Sequence, residues 1–252
     1  VNEQPSPADR DLPADRDGPV VHDGGGQGGG PVAPTEGTHE FRMVSSEDVH
    51  VGKILALRVD EVAMPGGETA RREVVEHPGA VAVVALDEQD HVVLIHQYRY
   101  PLGRRLWEIP AGLLDVDGET PAAAARRELA EEVGIAAAEW SVLVDLASSA
   151  GFTDQSERVF LARELSDVSR SSPVGDEEAD MVVTRVPLQE AVRGVHAGEI
   201  VNAATVAGLL AADAVCRGHV SPRPIDTEWR DRPHRFAQRR PENALGNWHF
   251  CP

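Results

Sequence analysis

Strand-like and helix-like segments alternate through the middle of this 252-residue chain, and that alternation predicts an α/β fold. Two further features support it. A capped, alanine-rich stretch from Thr120 to Gly134 has the ends of a helix, and the segments on either side hold short runs of Val, Ile and Leu bounded by turn residues.

The first 38 residues combine prolines, two glycine runs and seven acids against two arginines, with no periodic apolar pattern. Such a composition buries too little apolar surface to offset the entropy of ordering, so residues 1–38 are expected to form a disordered leader. Pro-Ala-Asp-Arg-Asp occurs at 7–11 and again at 13–17, too short a unit to build a stacked repeat. The glycine runs at 24–26 and 28–30 lack the Lys-Ser/Thr ending of a phosphate loop and follow no strand, and they read as linker.

Residues 39–76 predict a small N-terminal β element: the alternation Leu55, Leu57, Val59 meets Pro65-Gly66-Gly67 and resumes from Arg71 to Glu76, a hairpin pattern. Ala80 to Leu86 and His91 to Gln97, joined by Asp87-Glu88-Gln89-Asp90, are expected to pair antiparallel, the short link favouring a hairpin. Thr120 then serves as N-cap with Pro121 at the first helical position, and Gly134 ends the helix. Strands are expected around Val142 to Leu146 and Arg158 to Ala162, and a second helix from Asn202 to Cys216. These elements make 77–218 the body of the protein. In the arm 219–252, Trp229 and Phe236 are expected to pack on that body and the rest to be flexible.

A net charge of −18 disfavours nucleic acid as a partner. No run reaches the roughly 18 apolar residues of a membrane span, and the N-terminus lacks the apolar core of a signal peptide, so a soluble cytoplasmic protein without membrane partners is expected. The two cysteines form no disulfide framework: Cys216 reads as a buried small residue and Cys251 as a tail thiol. The ten histidines show no pair at zinc-ligand spacing.

On the predicted helix, Glu128, Glu131 and Glu132 share one face while Ala125, Leu129 and Val133 occupy another. Arg127 is placed to pair with Glu131. Three carboxylates together repel unless solvent or a hard divalent cation lies among them, and spacing by itself leaves both readings open.

The stretch from Gly112 to Ile135 carries Gly112, Glu119, Arg127-Glu128-Leu129, Glu131-Glu132 and Gly134-Ile135, and this resembles the Nudix box of the Nudix hydrolases. Every position from Glu119 onward matches; the loop between Gly112 and Glu119 is one residue longer than in the family pattern. The resemblance extends to the ADP-ribose pyrophosphatase branch over roughly residues 41–236. It is carried by Arg71-Arg72-Glu73-Val74-Val75-Glu76, Gln97-Tyr98-Arg99, Leu106-Trp107-Glu108-Ile109-Pro110-Ala111-Gly112, Glu177-Glu178-Ala179-Asp180 and Gly198-Glu199-Ile200-Val201-Asn202. A proline common in that branch after the box is replaced, with Ala150 preceding Gly151-Phe152.

The resemblance implies a Nudix α/β/α sandwich with a small N-terminal β element. It also implies metal-dependent hydrolysis of the diphosphate of ADP-ribose to AMP and ribose 5-phosphate, using Mg²⁺ or Mn²⁺ with two or three ions per site. Glu128, Glu132 and the carbonyl of Ala111 are then the metal ligands, with Glu131 a weaker ligand or a support. Gly112, Glu119, Arg127 and Gly134 shape the box, and Glu178 or its neighbour Glu177 is the general base. Arg99 and Arg72 are the candidates for gripping the nucleoside diphosphate sugar, an ion pair being the other reading of each, while Trp107 is read as packing. A homodimer is implied in which the N-terminal strands complete the partner's substrate site. The missing proline keeps open a Nudix pyrophosphatase acting on another nucleotide sugar or dinucleotide, and from another class a sensor that binds ADP-ribose without hydrolysing it.

Overall fold

The computed structural model describes residues 40–170 and 180–239. The predicted leader 1–38, the candidate bases Glu177 and Glu178, and the end of the C-terminal arm lie outside the described residues.

Three antiparallel strands open the described chain, β1 (Met43–Val51), β2 (Ala56–Ala63) and β3 (Thr69–Glu76), in the order β1-β2-β3. The β2–β3 hairpin pairs Ala56 with Glu76 and Ala63 with Thr69, and turns at the expected Pro-Gly-Gly with Gly67 at φ 85°. Every residue of β1 is exposed, so no apolar alternation marks it in the sequence.

The body is built on β4 (Ala80–Ala85), β5 (His91–Arg99), β6 (Arg104–Glu108), β7 (Ala111–Leu113), α1 (Pro121–Val133), β8 (Ile135–Ala147) and β9 (Ser156–Asp167). It is completed by β10 (Val182–Pro187), α2 (Leu188–His196), α3 (Ala203–Cys216), β11 (Arg223–Pro224) and the single turn α4 (Arg235–Gln238). One five-stranded mixed sheet runs β11-β8-β9-β4-β7 and a second sheet runs β10-β5-β6.

The expected hairpin between β4 and β5 does not form. The two strands touch at a single bridge, Leu86 to Val92, and then enter different sheets: β4 pairs in parallel with β9 and antiparallel with β7, whereas β5 lies between β10 and β6. Burial explains the split. Val81 to Ala85 are all fully buried, so β4 is a central strand that needs neighbours on both edges, and Asp90 at φ 56° turns the chain out of its sheet.

Alternate residues of β4 feed the two halves of the core. Val81, Val83 and Ala85 pack with Phe160 and Ala162 against Ala124, Ala125 and Leu129 of α1. Ala82, Val84 and Leu86 pack with Val159 and Leu161 against Leu188 and Ala191 of α2 and Ala204, Leu209 and Ala212 of α3. The expected α/β/α sandwich is therefore present, each fully buried aliphatic side chain contributing about 1.5–3 kcal/mol. The helix expected from Asn202 begins at Ala203, capped by the Asn202 carboxamide accepting the Thr205 N–H at 2.9 Å. Helix α2 was not expected: it has nine residues, and Pro187 at its N-cap position offers no side-chain acceptor. Strands β8 and β9 run well beyond their expected apolar centres.

Cys216 is exposed rather than buried, because it is the last residue of α3 and its Sγ lies 3.0 Å from Arg163 Nη2. In the arm, Trp229 and Phe236 are buried. The Trp229 indole N–H donates to Ser156 Oγ at 3.0 Å, and Arg239 pairs with Asp48 at 2.5 Å and with buried Glu76. Among the described residues no helix is long and apolar enough to cross a membrane.

Candidate active site

The carboxylates gather at one edge of the sandwich because of how α1 begins and ends. Thr120 Oγ accepts the Ala123 N–H at 3.2 Å, Pro121 fills the first turn, and Gly134 closes the helix in the left-handed conformation at φ 67°. Between these caps Leu129 faces the core, and Glu128 and Glu132, on the side toward β7, are themselves buried at 7% and 1% exposure.

Both buried carboxylates meet the strand that precedes the helix. Glu132 Oε2 accepts the Ala111 N–H at 3.0 Å. The Glu128 carboxylate lies against Gly112 so closely that a Cβ there would stand 2.1 Å from its carboxyl carbon and 2.1 Å from Oε1. Glycine at 112 is thus required by its contact with the Glu128 carboxylate of α1, not by a left-handed backbone.

Arg127 organises the remaining charges. It forks onto Glu119, with Nε to Oε1 at 3.1 Å and Nη2 to Oε2 at 3.0 Å, and its Nη1 reaches Glu128 at 2.6 Å and Glu131 at 3.2 Å. Burial pushes the Glu128 carboxyl up to about 7, against the pull of Arg127 and with a further push from Glu131 and Asp115. The Arg127 guanidinium is held charged more firmly than usual: burial opposes the charge, but the Glu119 hydrogen bonds and the neighbouring carboxylates outweigh it.

The two candidate substrate arginines lie on the strands β5 and β3. Arg99, at the end of β5, forks onto Glu108 with Nε to Oε1 at 2.9 Å and Nη2 to Oε2 at 2.6 Å. Arg72, exposed on β3, donates to the Arg71 carbonyl at 3.0 Å and lies 3.9 Å from the Met64 sulfur. Trp107 stacks on His96 with ring centroids 4.3 Å apart, consistent with packing. Sequence reasoning gave Glu108 no role of its own. The pair depends on strand register: Arg99 stands beside the turn of the β5–β6 hairpin, opposite Arg104, and Glu108 lies four pairs along, opposite Ile95.

Residues 76–205 match the family model of the NUDIX domain. The chain belongs to the Nudix family. Over 204 residues it is 55% identical to a protein of Mycobacterium tuberculosis (strain ATCC 25618 / H37Rv) named ADP-ribose pyrophosphatase, covering 81% of this chain and 98% of that one. It is 38% identical over 166 residues to a Bacillus subtilis (strain 168) protein of the same name, covering 66% of this chain and 89% of the relative. A solved structure described as an ADP compounds hydrolase superposes with a TM-score of 0.64 at 23% identity, covering 73% of this chain and 98% of that one, and supports the Nudix fold.

The Nudix box residues suit a hard cation in their chemistry. Their donors are carboxylate and carbonyl oxygens, and a cation at Glu128 would reverse the cost that burial places on its charge. Among the described residues no three His, Cys, Asp or Glu side chains are clustered as a ready-made metal cage. Glu128 and Glu131 turn toward Arg127 and Glu132 toward the Ala111 N–H, so these groups would have to turn to meet an ion.

Proposed function

We infer that this Nudix hydrolase cleaves the diphosphate of ADP-ribose to AMP and ribose 5-phosphate with Mg²⁺, or Mn²⁺, as its cation. The observation that carries the reading is the convergence of Glu128 and Glu132 on the backbone of Gly112 and Ala111, which gathers buried carboxylates around one carbonyl-bearing strand end. The names of the mycobacterial and Bacillus relatives support the substrate.

In this reading Glu128, Glu132 and the Ala111 carbonyl hold the metal, with Glu131 as a weaker ligand or support. Bound cations, two or three per site, would polarise the phosphoryl oxygens and lower the pKa of the attacking water. Glu178 or Glu177 takes the water's proton as oxygen bonds to one phosphorus and the bridging oxygen leaves with the other phosphate. Arg127 keeps Glu119, Glu128 and Glu131 in mutual register, and Arg99 and Arg72 grip the substrate. The exposed apolar side chains of β1, including Met43, Val44, Val49 and Val51, support a homodimer built on the N-terminal strands.

Purified protein with Mg²⁺ against ADP-ribose, ADP-glucose, NADH, GDP-mannose and a flavin dinucleotide, with chromatographic separation of products, tests the assignment. AMP and ribose 5-phosphate well in excess of other products, abolished by a chelator and restored by Mg²⁺, are expected. Faster cleavage of another compound would overturn the substrate, and binding of ADP-ribose without turnover would overturn the hydrolase.

A further inference from the structure

We propose that Glu108 is a positioning residue for substrate: it fixes the Arg99 guanidinium in the orientation that grips the diphosphate. The inference rests on the reading of Arg99 as a substrate residue.

The pairing register places Glu108 opposite Ile95, and Ile95, Gln97 and Arg99 share one face of β5, so Arg99 reaches back along the strand to meet it. Gln97 Nε2 also approaches Glu108 Oε2, at 3.4 Å. The Glu108 side chain is 2% exposed and that of Arg99 is 24% exposed, so the carboxylate is the inner half of the pair and the guanidinium the outer half. A carboxylate removed from water needs a partner, yet for folding alone an apolar side chain would fill this place as well. What the pair supplies is direction. The fork fixes the plane of the guanidinium before substrate arrives, so less ordering is left for the binding step.

Glu108 also lies close to the box. Ala111 follows three positions after it, a span of at most about 11 Å. The connection is held in place, since the Ile109 N–H donates to the buried Thr205 Oγ at 3.0 Å and Thr205 belongs to the capped first turn of α3. Arg99 is therefore oriented by a residue on the same rigid segment that presents Ala111 and Gly112 to the helix carboxylates.

The test is a double-mutant cycle on the Mg²⁺-loaded enzyme with ADP-ribose. Glu108→Gln keeps the shape and removes the charge, and Arg99→Lys keeps a charge and removes the fork. Each single variant is expected to raise KM about 10-fold with kcat within about 3-fold, the midpoint of Mg²⁺ activation is expected to stay put, and the double variant should be no worse than either single. Losses that multiply in the double variant, or an unchanged KM in Arg99→Lys, would overturn the proposal; the latter also decides the matter if Glu108→Gln does not fold. A parent enzyme that cleaves a different nucleoside diphosphate would refute the substrate assignment separately, and the cycle would then be run on that compound.

Discussion

The Glu128 carboxylate occupies the space in which a side chain at Gly112 would begin. A Cβ at that position would meet the carboxyl carbon at 2.1 Å, so alanine at 112 must push the glutamate away from β7 or the strand away from the helix. Gly112→Ala is expected to lower kcat by about 100-fold, the scale of losing a charged catalytic group, and to cost about 1–3 kcal/mol of stability through overpacking. Steady-state kinetics and thermal unfolding check both; parental activity in this variant would contradict the placement of Glu128.

Glu132→Gln separates chemistry from folding. The amide oxygen of glutamine still accepts the Ala111 N–H that Glu132 now takes at 3.0 Å, so the unfolding temperature should stay close to that of the parent. The negative charge is lost, and turnover is expected to fall by at least about 100-fold. Unchanged turnover would remove Glu132 from the metal site.

The helix that carries the site was legible because its signals are local: Thr120, Pro121 and Gly134 act on their own neighbours, and the carboxylate spacing follows from helical geometry. The partners of the strands were not. The apolar runs in Ala80 to Leu86 and His91 to Gln97, with the polar turn between them, identify two strands, but which sheet each joins depends on β9, about 80 residues downstream of β4. The fork from Arg99 to Glu108 was hidden for the same reason, since it needs a register rather than a composition. The exposed strand β1 offers no burial pattern at all.

His77 makes stability depend on pH. Its burial lowers its pKa to about 4, and its Nδ1 accepts the Gly79 N–H at 3.1 Å, a bond that only the unprotonated nitrogen makes. The unfolded chain protonates this histidine near its ordinary value of 6.5, the folded chain only near 4. The contribution is therefore complete above pH 6.5 and is lost as pH falls toward 4, by about 3 kcal/mol at most. His77→Asn keeps an acceptor for the N–H two residues on and does not titrate. Urea unfolding at pH 7 and pH 4.5 should show a smaller acid loss in the variant than in the parent; equal losses would contradict the assignment.

β1 is an edge strand with both faces exposed, an arrangement that a soluble monomer normally guards with charge. Val49 and Val51 are 57% and 51% exposed, so replacing them cannot disturb the core of the isolated chain. If these side chains pack against a second copy, the parent should sediment at micromolar concentration as a particle about twice the 27.1 kDa of one chain. The double substitution Val49→Lys, Val51→Lys should then give the single-chain mass with an unchanged circular dichroism spectrum. Because the same strands are proposed to complete the partner's substrate site, KM for ADP-ribose should rise as the dimer is lost. A parent that sediments as one chain would count against the dimer, and a monomeric variant with parental KM would separate dimerisation from substrate binding.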